Sequence, residues 1–451
     1  MEFYKKPNLL IVLIISLLLN GCSKSDDIPP TISVFITNIE ASSNDQVRIS
    51  WDLERSTNVI ITSFEIKRKH LDEKDNLTFQ SIGNIPSNDS SFVDMNPPYS
   101  PEITYSIRIG YYVDQILTQG QSPEIFFIEC EPKAYNRNIL TFSKVPLQVE
   151  MDPNKNGIIH ILDTSINDNK LVKYNSTTNS IEKTVLLGDG FDYNVVFRIV
   201  DNKYIYVTDS KGNFNKIDKE TYTIEDTFKV EINEKLTSFS IDKSRIYYHD
   251  KYVLKYFDLS TRLSVNLGWG YFPRIYAYTI KDNHQLFLDR HYANVTEISV
   301  NNCPDKDNCW PEIKYTTNAN SSNQPHFDPF LINWNETKDK FISSYYGDVT
   351  ELETLTKKAS LKSITGENYF KAVFSTDGKL YAAVQGKKLI QVFNKSYELI
   401  ESIKTKLYPV FPIISPNGKL KSFGTYQPAQ YSGYYYGFEF NFNGKCAIED
   451  L

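Results

Sequence analysis

The sequence predicts an all-β protein, and three observations lead there. Apolar and polar residues alternate in short runs over the first third of the chain. Over the last two thirds a turn followed by a short β run recurs with a period of roughly 40 residues. Aromatic residues are abundant, 31 Tyr and 27 Phe against 3 Met and 19 Gly, and such side chains favour pleated, half-buried surfaces. The 451 residues are enough for two or three domains. With a formal net charge of −6 the chain has no basic field to attract nucleic acid or anionic lipid.

The first element is a leader. Lys5 and Lys6 precede an apolar run from Leu9 to Leu19 broken only by Ser16, and Asn20-Gly21-Cys22 follows. A positive start, an apolar core and small residues at a cut describe a secretory signal over residues 1–21. The run falls short of the ~20 residues a spanning helix needs. With Cys22 in place it resembles a bacterial lipoprotein signal, apart from Asn20. The resemblance implies cleavage before Cys22, acylation of its thiol and new amino group, and a lasting membrane anchor. At ~0.8 kcal/mol per buried methylene, two or three acyl chains suffice to hold the protein. In the tether, 22–29, Ser23-Lys24-Ser25-Asp26-Asp27 is similar to the acidic export signals of Bacteroidetes surface lipoproteins. A solvated linker is the plainer reading of so short a polar run. The expected location is the outer membrane, exposed on the cell surface, or else facing the periplasm.

Residues 30–128 read as about seven short strands of a β-sandwich. Val47-Arg48-Ile49-Ser50-Trp51 puts Val47, Ile49 and Trp51 on one face, and Phe64-Glu65-Ile66-Lys67-Arg68, Phe92-Val93-Asp94, Tyr105-Ser106-Ile107-Arg108-Ile109 and Ile125-Phe126-Phe127-Ile128 continue the series. With Trp51 on the second strand and Tyr105 near the start of the sixth, this stretch resembles a fibronectin type III domain. The resemblance implies that the Tyr105 hydroxyl bonds back to the chain, and that the domain acts as a spacer or binding module. The adhesive Arg-Gly-Asp of that family is absent. Residues 129–137 are expected to be a linker.

From residue 138 the repeat takes over. Asp152-Pro-Asn-Lys-Asn-Gly157 leads into Ile158-Ile-His-Ile-Leu-Asp163, and Asp201-Asn-Lys203 leads into Tyr204-Ile-Tyr-Val-Thr-Asp209. Similar turns at Asp242, Asp282, Lys338, Thr376 and Pro416 precede further runs. About ten residues on, Leu171-Val-Lys-Tyr-Asn175 recurs as Phe214-Asn-Lys-Ile-Asp218, Leu254-Lys-Tyr-Phe-Asp258 and Ile390-Gln-Val-Phe-Asn394. About seven such units over 138–451 predict a seven-bladed β-propeller, in which each blade buries its faces on its neighbours. The repeat resembles the YVTN-type and quinoprotein-dehydrogenase-like propellers of bacteria. The last unit supplies strands near 410–414, 420–425 and 435–442, one short of four. Residues 138–144 can provide the missing outer strand from the start of the domain.

With Cys22 acylated, four cysteines remain for an oxidising compartment. Cys303 and Cys309 share a polar loop that lacks two further zinc ligands, which favours a local disulfide. Cys130 and Cys446 would then pair across the second domain, closing a long loop worth roughly 5–6 kcal/mol at most.

No catalytic residue, metal or cofactor follows from the sequence. Asp152, Asn154, Asn156 and Asp163 match part of a calcium loop, but other repeats carry ordinary hairpin turns at this place. Ser375-Thr-Asp-Gly-Lys379 departs from a sialidase Asp box in its glycine and lacks the aromatic. The six histidines form no metal motif, and Gly-x-Ser-x-Gly, His-Glu-x-x-His and phosphate loops are missing. The binding candidates are aromatic: Trp269, Tyr271 and Arg274 between the third and fourth units, Trp310 beside the cysteine loop, and Tyr431 and Tyr435 in the last unit. Rings there could stack on sugars or anchor peptides, although packing between blades is the plainer reading. The expected function is a membrane-anchored binding module for a glycan, a peptide or an envelope protein. The alternative is a propeller enzyme acting on polysaccharide or oxidising a small substrate with a quinone.

Overall fold

A computed structural model describes residues 31–451 apart from 43–44, 71–78, 115–121, 166–167, 188–195, 234, 237, 243, 251–252, 268–274, 282–283, 290–293, 300–311, 317–330, 353, 355, 416, 430, 435–436 and 441–443. Within the strands of 275–316 and 431–440 the backbone alone is described. The chain divides into two compact units, with the boundary between Arg137 and Asn138. The leader, the tether and Cys22 lie outside the described residues, as do Cys303 and Cys309.

The first unit contains β1 (Ile32–Ala41), β2 (Val47–Arg55), β3 (Val59–His70), β4 (Gln80–Ile85), β5 (Ser91–Asp94), β6 (Glu102–Val113), β7 (Phe126–Glu129) and β8 (Lys133–Asn136). One sheet runs β1-β2-β5; the other runs β4-β3-β6, with β7 and β8 both paired to β6. Alternation decides which side chains point inward. Val47, Ile49 and Trp51 from one sheet meet Phe64, Ile66, Tyr105 and Ile107 from the other in a single core. The Trp51 and Phe64 rings lie 5.4 Å apart, and each such buried side chain contributes about 1.5–3 kcal/mol.

A polar clamp crosses this core. The Tyr105 hydroxyl donates to Asp94 Oδ2 at 3.0 Å, and Arg68 Nη1 donates to both Asp94 oxygens at 2.9 and 2.7 Å. Tyr105 therefore bonds a carboxylate on β5 rather than the chain itself, which corrects the expectation drawn from the family. Burial, with the Asp94 charge, pushes the Tyr105 hydroxyl far up. The segment expected to be a linker is also part of the fold. Cys130 packs in the core and β8 hydrogen-bonds β6, because residues 126–136 form one edge strand interrupted at Cys130.

The second unit begins with β9 (Thr141–Phe142), β10 (Gln148–Met151), β11 (Ile158–Ser165), β12 (Asp168–Asn175) and β13 (Ser180–Leu186), then β14 (Phe197–Val200), β15 (Tyr204–Thr208), β16 (Asn213–Asp218) and β17 (Ile224–Lys229). Strands β10 to β13 form one four-stranded antiparallel sheet and β14 to β17 the next. Further four-stranded sheets cover 239–266, 275–316, 333–360 and 369–404. Burial within a sheet follows position. Ile158 to Asp163 on β11 are all buried, whereas β13 is almost wholly exposed. A second strand covered on both faces needs a continuous apolar run, and an outer strand does not.

Local chemistry explains the repeat. Asn175, Asp218, Asp258 and Asn394 each turn a side-chain oxygen back onto backbone N–H groups two to four residues on. Asn179, Tyr222, Arg262 and Tyr397 then take left-handed φ of 56–64° to finish the hairpin. An Asx turn of this kind needs Asn or Asp at its head. Ser375 and Ser415 head a second shared turn, each donating its N–H to the carbonyl of Lys379 or Lys419 and accepting the N–H of Gly378 or Gly418 at its own carbonyl. Gly378 and Gly418 there hold φ of 77° and 80°, a region open to glycine at little cost.

Where the side chains are described, neighbouring sheets pack on each other. Leu162 and Leu171 meet Phe197 and Ile205, Phe214 meets Phe239 and Phe257, and Ile342 meets Tyr369 and Leu380. A further cluster joins the first sheet to the last through Val149, Ile161, Val410, Phe423 and Ile448. The last sheet runs Tyr408–Ile414, Leu420–Thr425, Cys446–Asp450 and β9. Its outer strand thus comes from the start of the unit, as the strand count requires. Its third strand is Cys446–Asp450, not 435–442: Cys446 to Glu449 are buried in the sheet, while the tyrosine-rich stretch forms a separate hairpin, Tyr431–Tyr434 with Gly437–Phe440.

The expected Cys130–Cys446 bridge is absent, because both thiols are free. Cys130 Sγ accepts the Ile107 N–H at 3.2 Å inside the first unit's core, and Cys446 Sγ donates to the Lys144 carbonyl at 3.6 Å inside the second's. Each is held as a small apolar group in a different core. Burial raises both thiols above their ordinary range.

Candidate functional site

The first strands of several sheets converge on one cavity of about 310 Å³. Gln148 and Glu150 reach it from β10, Phe197 and Arg198 from β14, Asn333 and Trp334 from the strand that opens the fifth sheet, and Lys371 from the strand that opens the sixth. Met151, Val196, Ile241 and Ile332 supply apolar surface between these groups. Apolar walls with a few convergent polar groups are the usual make-up of a ligand site.

The polar groups are held by the scaffold. The Gln148 amide spans two sheets: Nε2 donates to the Phe197 carbonyl at 3.1 Å, and Oε1 accepts the Phe197 N–H at 2.9 Å. Arg198 Nη1 donates to the Phe197 carbonyl at 3.0 Å and Nη2 to Ser238 Oγ at 3.3 Å, so the guanidinium is tied between the second and third sheets. The Trp334 ring packs on Phe341 at 5.3 Å. Lys371 is buried, and its ammonium approaches Glu150 Oε1 at 3.5 Å and the Phe411 ring at 5.7 Å. Three cations, Arg198, Lys338 and Lys371, share the wall with one carboxylate, Glu150, which leaves the cavity positive.

A second polar cluster lies in the seam between the first two sheets. His160, Asp152 and Lys219 are 0%, 1% and 1% exposed. His160 Nε2 is 3.2 Å from Asp152 Oδ2 and Nδ1 is 2.5 Å from the Tyr222 hydroxyl, while Lys219 Nζ reaches both Asp152 oxygens at 3.0 and 2.9 Å. Burial alone would raise the Asp152 carboxyl, but bonds from His160, Lys219 and the Asn154 N–H carry it well below the carboxylate range. An ionised Asp152 only accepts, so Nε2 carries the imidazole proton and Nδ1 accepts from Tyr222. Burial pushes His160 down, which keeps it neutral. This is a closed structural network, every member partnered. Asp152 also caps its own turn through the Asn154 and Lys155 N–H groups, so the calcium-like spacing is a hairpin. Among the described residues no group of His, Cys, Asp or Glu could hold a metal ion.

The candidates read from the sequence do not assemble here. Trp269, Tyr271, Arg274, Trp310 and Tyr435 lie outside the described residues; Tyr431 begins the separate hairpin, and its side chain is not described. Residues lining the cavity carry a different signal: charges or amides inside otherwise apolar first strands, two in Gln148-Val-Glu-Met151 and one each in Phe197-Arg-Ile-Val200 and Tyr369-Phe-Lys-Ala-Val-Phe374. Aligning the repeats on those strands, rather than on their turns, would have found Glu150, Arg198 and Lys371.

No protein-family model matches the chain. No curated protein sequence matches it either. Among solved structures it is similar to the RRP9 WD40 repeats, with 11% identity over 69% of this chain and 97% of that one at a TM-score of 0.49. U3-55K gives 12% identity, 69% and 98% coverage and a TM-score of 0.49. The dihydro-heme d1 dehydrogenase NirN in complex with DHE gives 11%, 62%, 60% and 0.43.

Proposed function

We propose that the chain is an envelope lipoprotein whose second unit is a seven-bladed β-propeller that binds a glycan, peptide or protein partner at the mouth of its central cavity. The observation that carries this reading is the cavity itself, where residues from the first strands of separate sheets bring an indole, fixed cations and amides to one place. Seven four-stranded sheets among the described residues, with the last completed by β9, support the blade count. The strand order of the first unit, with Trp51 and Tyr105 in its core, supports a fibronectin type III-like sandwich that acts as a spacer. The leader sequence supports a lipid anchor at Cys22 and display at the outer membrane.

Two measurements test the reading. Cys22→Ser should move the protein from the membrane fraction to the soluble fraction, and continued sedimentation with membranes would remove the anchor. A soluble chain starting at Ser23 should retain partners from an immobilised panel of envelope glycans and peptides, and Trp334→Ala should abolish that retention. Retention undiminished in Trp334→Ala would move the site elsewhere. Turnover of the retained ligand would replace binding with catalysis.

A further inference from the structure

The cavity's chemistry narrows the ligand, given the binding reading above. We infer that it accepts a single sugar acid, a pyranose ring carrying one carboxylate, either free or at the end of a chain. The volume and four residues of the wall, Lys371, Arg198, Glu150 and Trp334, point to this class. A volume of about 310 Å³ is at the small end of ligand sites, which run from roughly 300 to 1,000 Å³, and holds one ring rather than a folded peptide segment. Lys371 supplies a buried ammonium with three donors, and among the described residues its hydrogen-bond acceptor is Glu150 at a loose 3.5 Å. An ammonium out of water calls for a close anionic partner, and a ligand carboxylate entering beside it provides one. Arg198, already oriented by Phe197 and Ser238, adds a second fixed charge to the same wall.

Glu150 decides between acids. A bare acidic side chain or a chain-end carboxylate would meet its repulsion and offer nothing in return. A hydroxylated acid gives O–H donors to Glu150 and to the Asn333 carbonyl oxygen while its carboxylate goes to Lys371. A phosphate, at close to two negative charges, is repelled more strongly by the same group. Trp334 then offers an indole to the C–H face of the ring, the role that flat side chains fill at sugar sites.

Calorimetry on the soluble chain starting at Ser23 tests this with glucuronate and galacturonate, their neutral hexoses, glucose 6-phosphate and a short Asp/Glu peptide. The expected result is binding of a hexuronate at least tenfold tighter than its neutral hexose, the phosphate or the peptide. Lys371→Met and Trp334→Leu should each weaken it at least tenfold. Circular dichroism confirms that each variant folds; if Lys371→Met does not, Arg198→Gln takes its place with the same expected loss. Preference for the neutral sugar, the phosphate or the peptide, still sensitive to Trp334→Leu, would overturn the sugar-acid inference and leave the binding site standing. If hydrogen exchange around Trp334 and Lys371 is unchanged by every probe and by the envelope panel, both fall.

Discussion

Tyr105 in the first unit and Tyr222 in the second each bury a hydroxyl in a network around an aspartate, and the two networks are built differently. In the sandwich, Tyr105 and Arg68 converge on Asp94, with the Arg68 side chain 18% exposed and so within reach of water. In the repeat unit, Tyr222 reaches its carboxylate only through His160, and the side chain of the balancing cation Lys219 is 2% exposed. Solvent can substitute for a lost partner in the first network and not in the second. Polar ties at a sheet edge are therefore forgiving, whereas a tie in the dry seam between sheets requires every member.

That contrast can be broken at several points. Lys219→Met should have the largest effect, about 3–5 kcal/mol, because it leaves the Asp152 carboxylate buried and unbalanced. Thermal denaturation would show a large drop in Tm, and hydrogen exchange should place the loosening in 138–451. A loss below 1 kcal/mol would mean that water reaches the seam. Tyr222→Phe should cost about 1–3 kcal/mol, the penalty for stranding His160 Nδ1. Tyr105→Phe should fall near the low end of that range, since Asp94 keeps Arg68. Equal losses at the two tyrosines would erase the distinction.

Acid should separate the units next. His160 and His249 are both pushed down by burial, His249 to about 4. A histidine whose folded value is depressed contributes stability that is full above its unfolded value of about 6.5 and is lost as pH falls toward the folded one. Asp152 adds a further loss lower down, as pH falls below about 4. Urea unfolding followed by exchange should show 138–451 weakening between pH 6.5 and about 4 more than 31–137, and His249→Gln should flatten that slope. A slope unchanged by the substitution would discard this account. Smallest of all, Lys155→Ala removes an exposed pair with Glu220 and should shift stability by no more than about 1 kcal/mol.

The repeat was legible because its signals are local. Asn175, Asp218 and Asp258 head turns whose chemistry is complete within five residues, so the spacing of turns reveals the spacing of sheets. The last sheet shows where such reading fails. Residues 435–442 carry more aromatic character than Cys446-Ala-Ile-Glu-Asp450, yet the latter forms the third strand, its Cys446 and Ile448 packing in the core with Phe142 and Phe423. The cavity was legible only as isolated charges within first strands, not as a site. Glu150, Arg198, Trp334 and Lys371 come from four sheets, and nothing near any of them in sequence announces the others. Turn residues explain themselves to their neighbours in the chain; cavity residues do so only to their neighbours in space. The cysteines misled for the same reason: parity suggested a pair, while packing gives Cys130 and Cys446 separate apolar niches.

The seam closed by β9 has a consequence for how the protein is made. Thr141 and Phe142 pair with Ala447 and Cys446, so the first strand of the unit to leave the ribosome is among the last to find its partner. Until the carboxyl-terminal strand arrives, about 300 residues later, β9 is an open edge and the first sheet lacks one neighbour. Completion of the last sheet is then a late event that waits on Cys446–Asp450. Truncating Cys446–Asp450 should leave the early sheets intact but expose β9 and Leu420–Thr425 as unpaired, adhesive edges, and a chaperone acting during synthesis would find its substrate there.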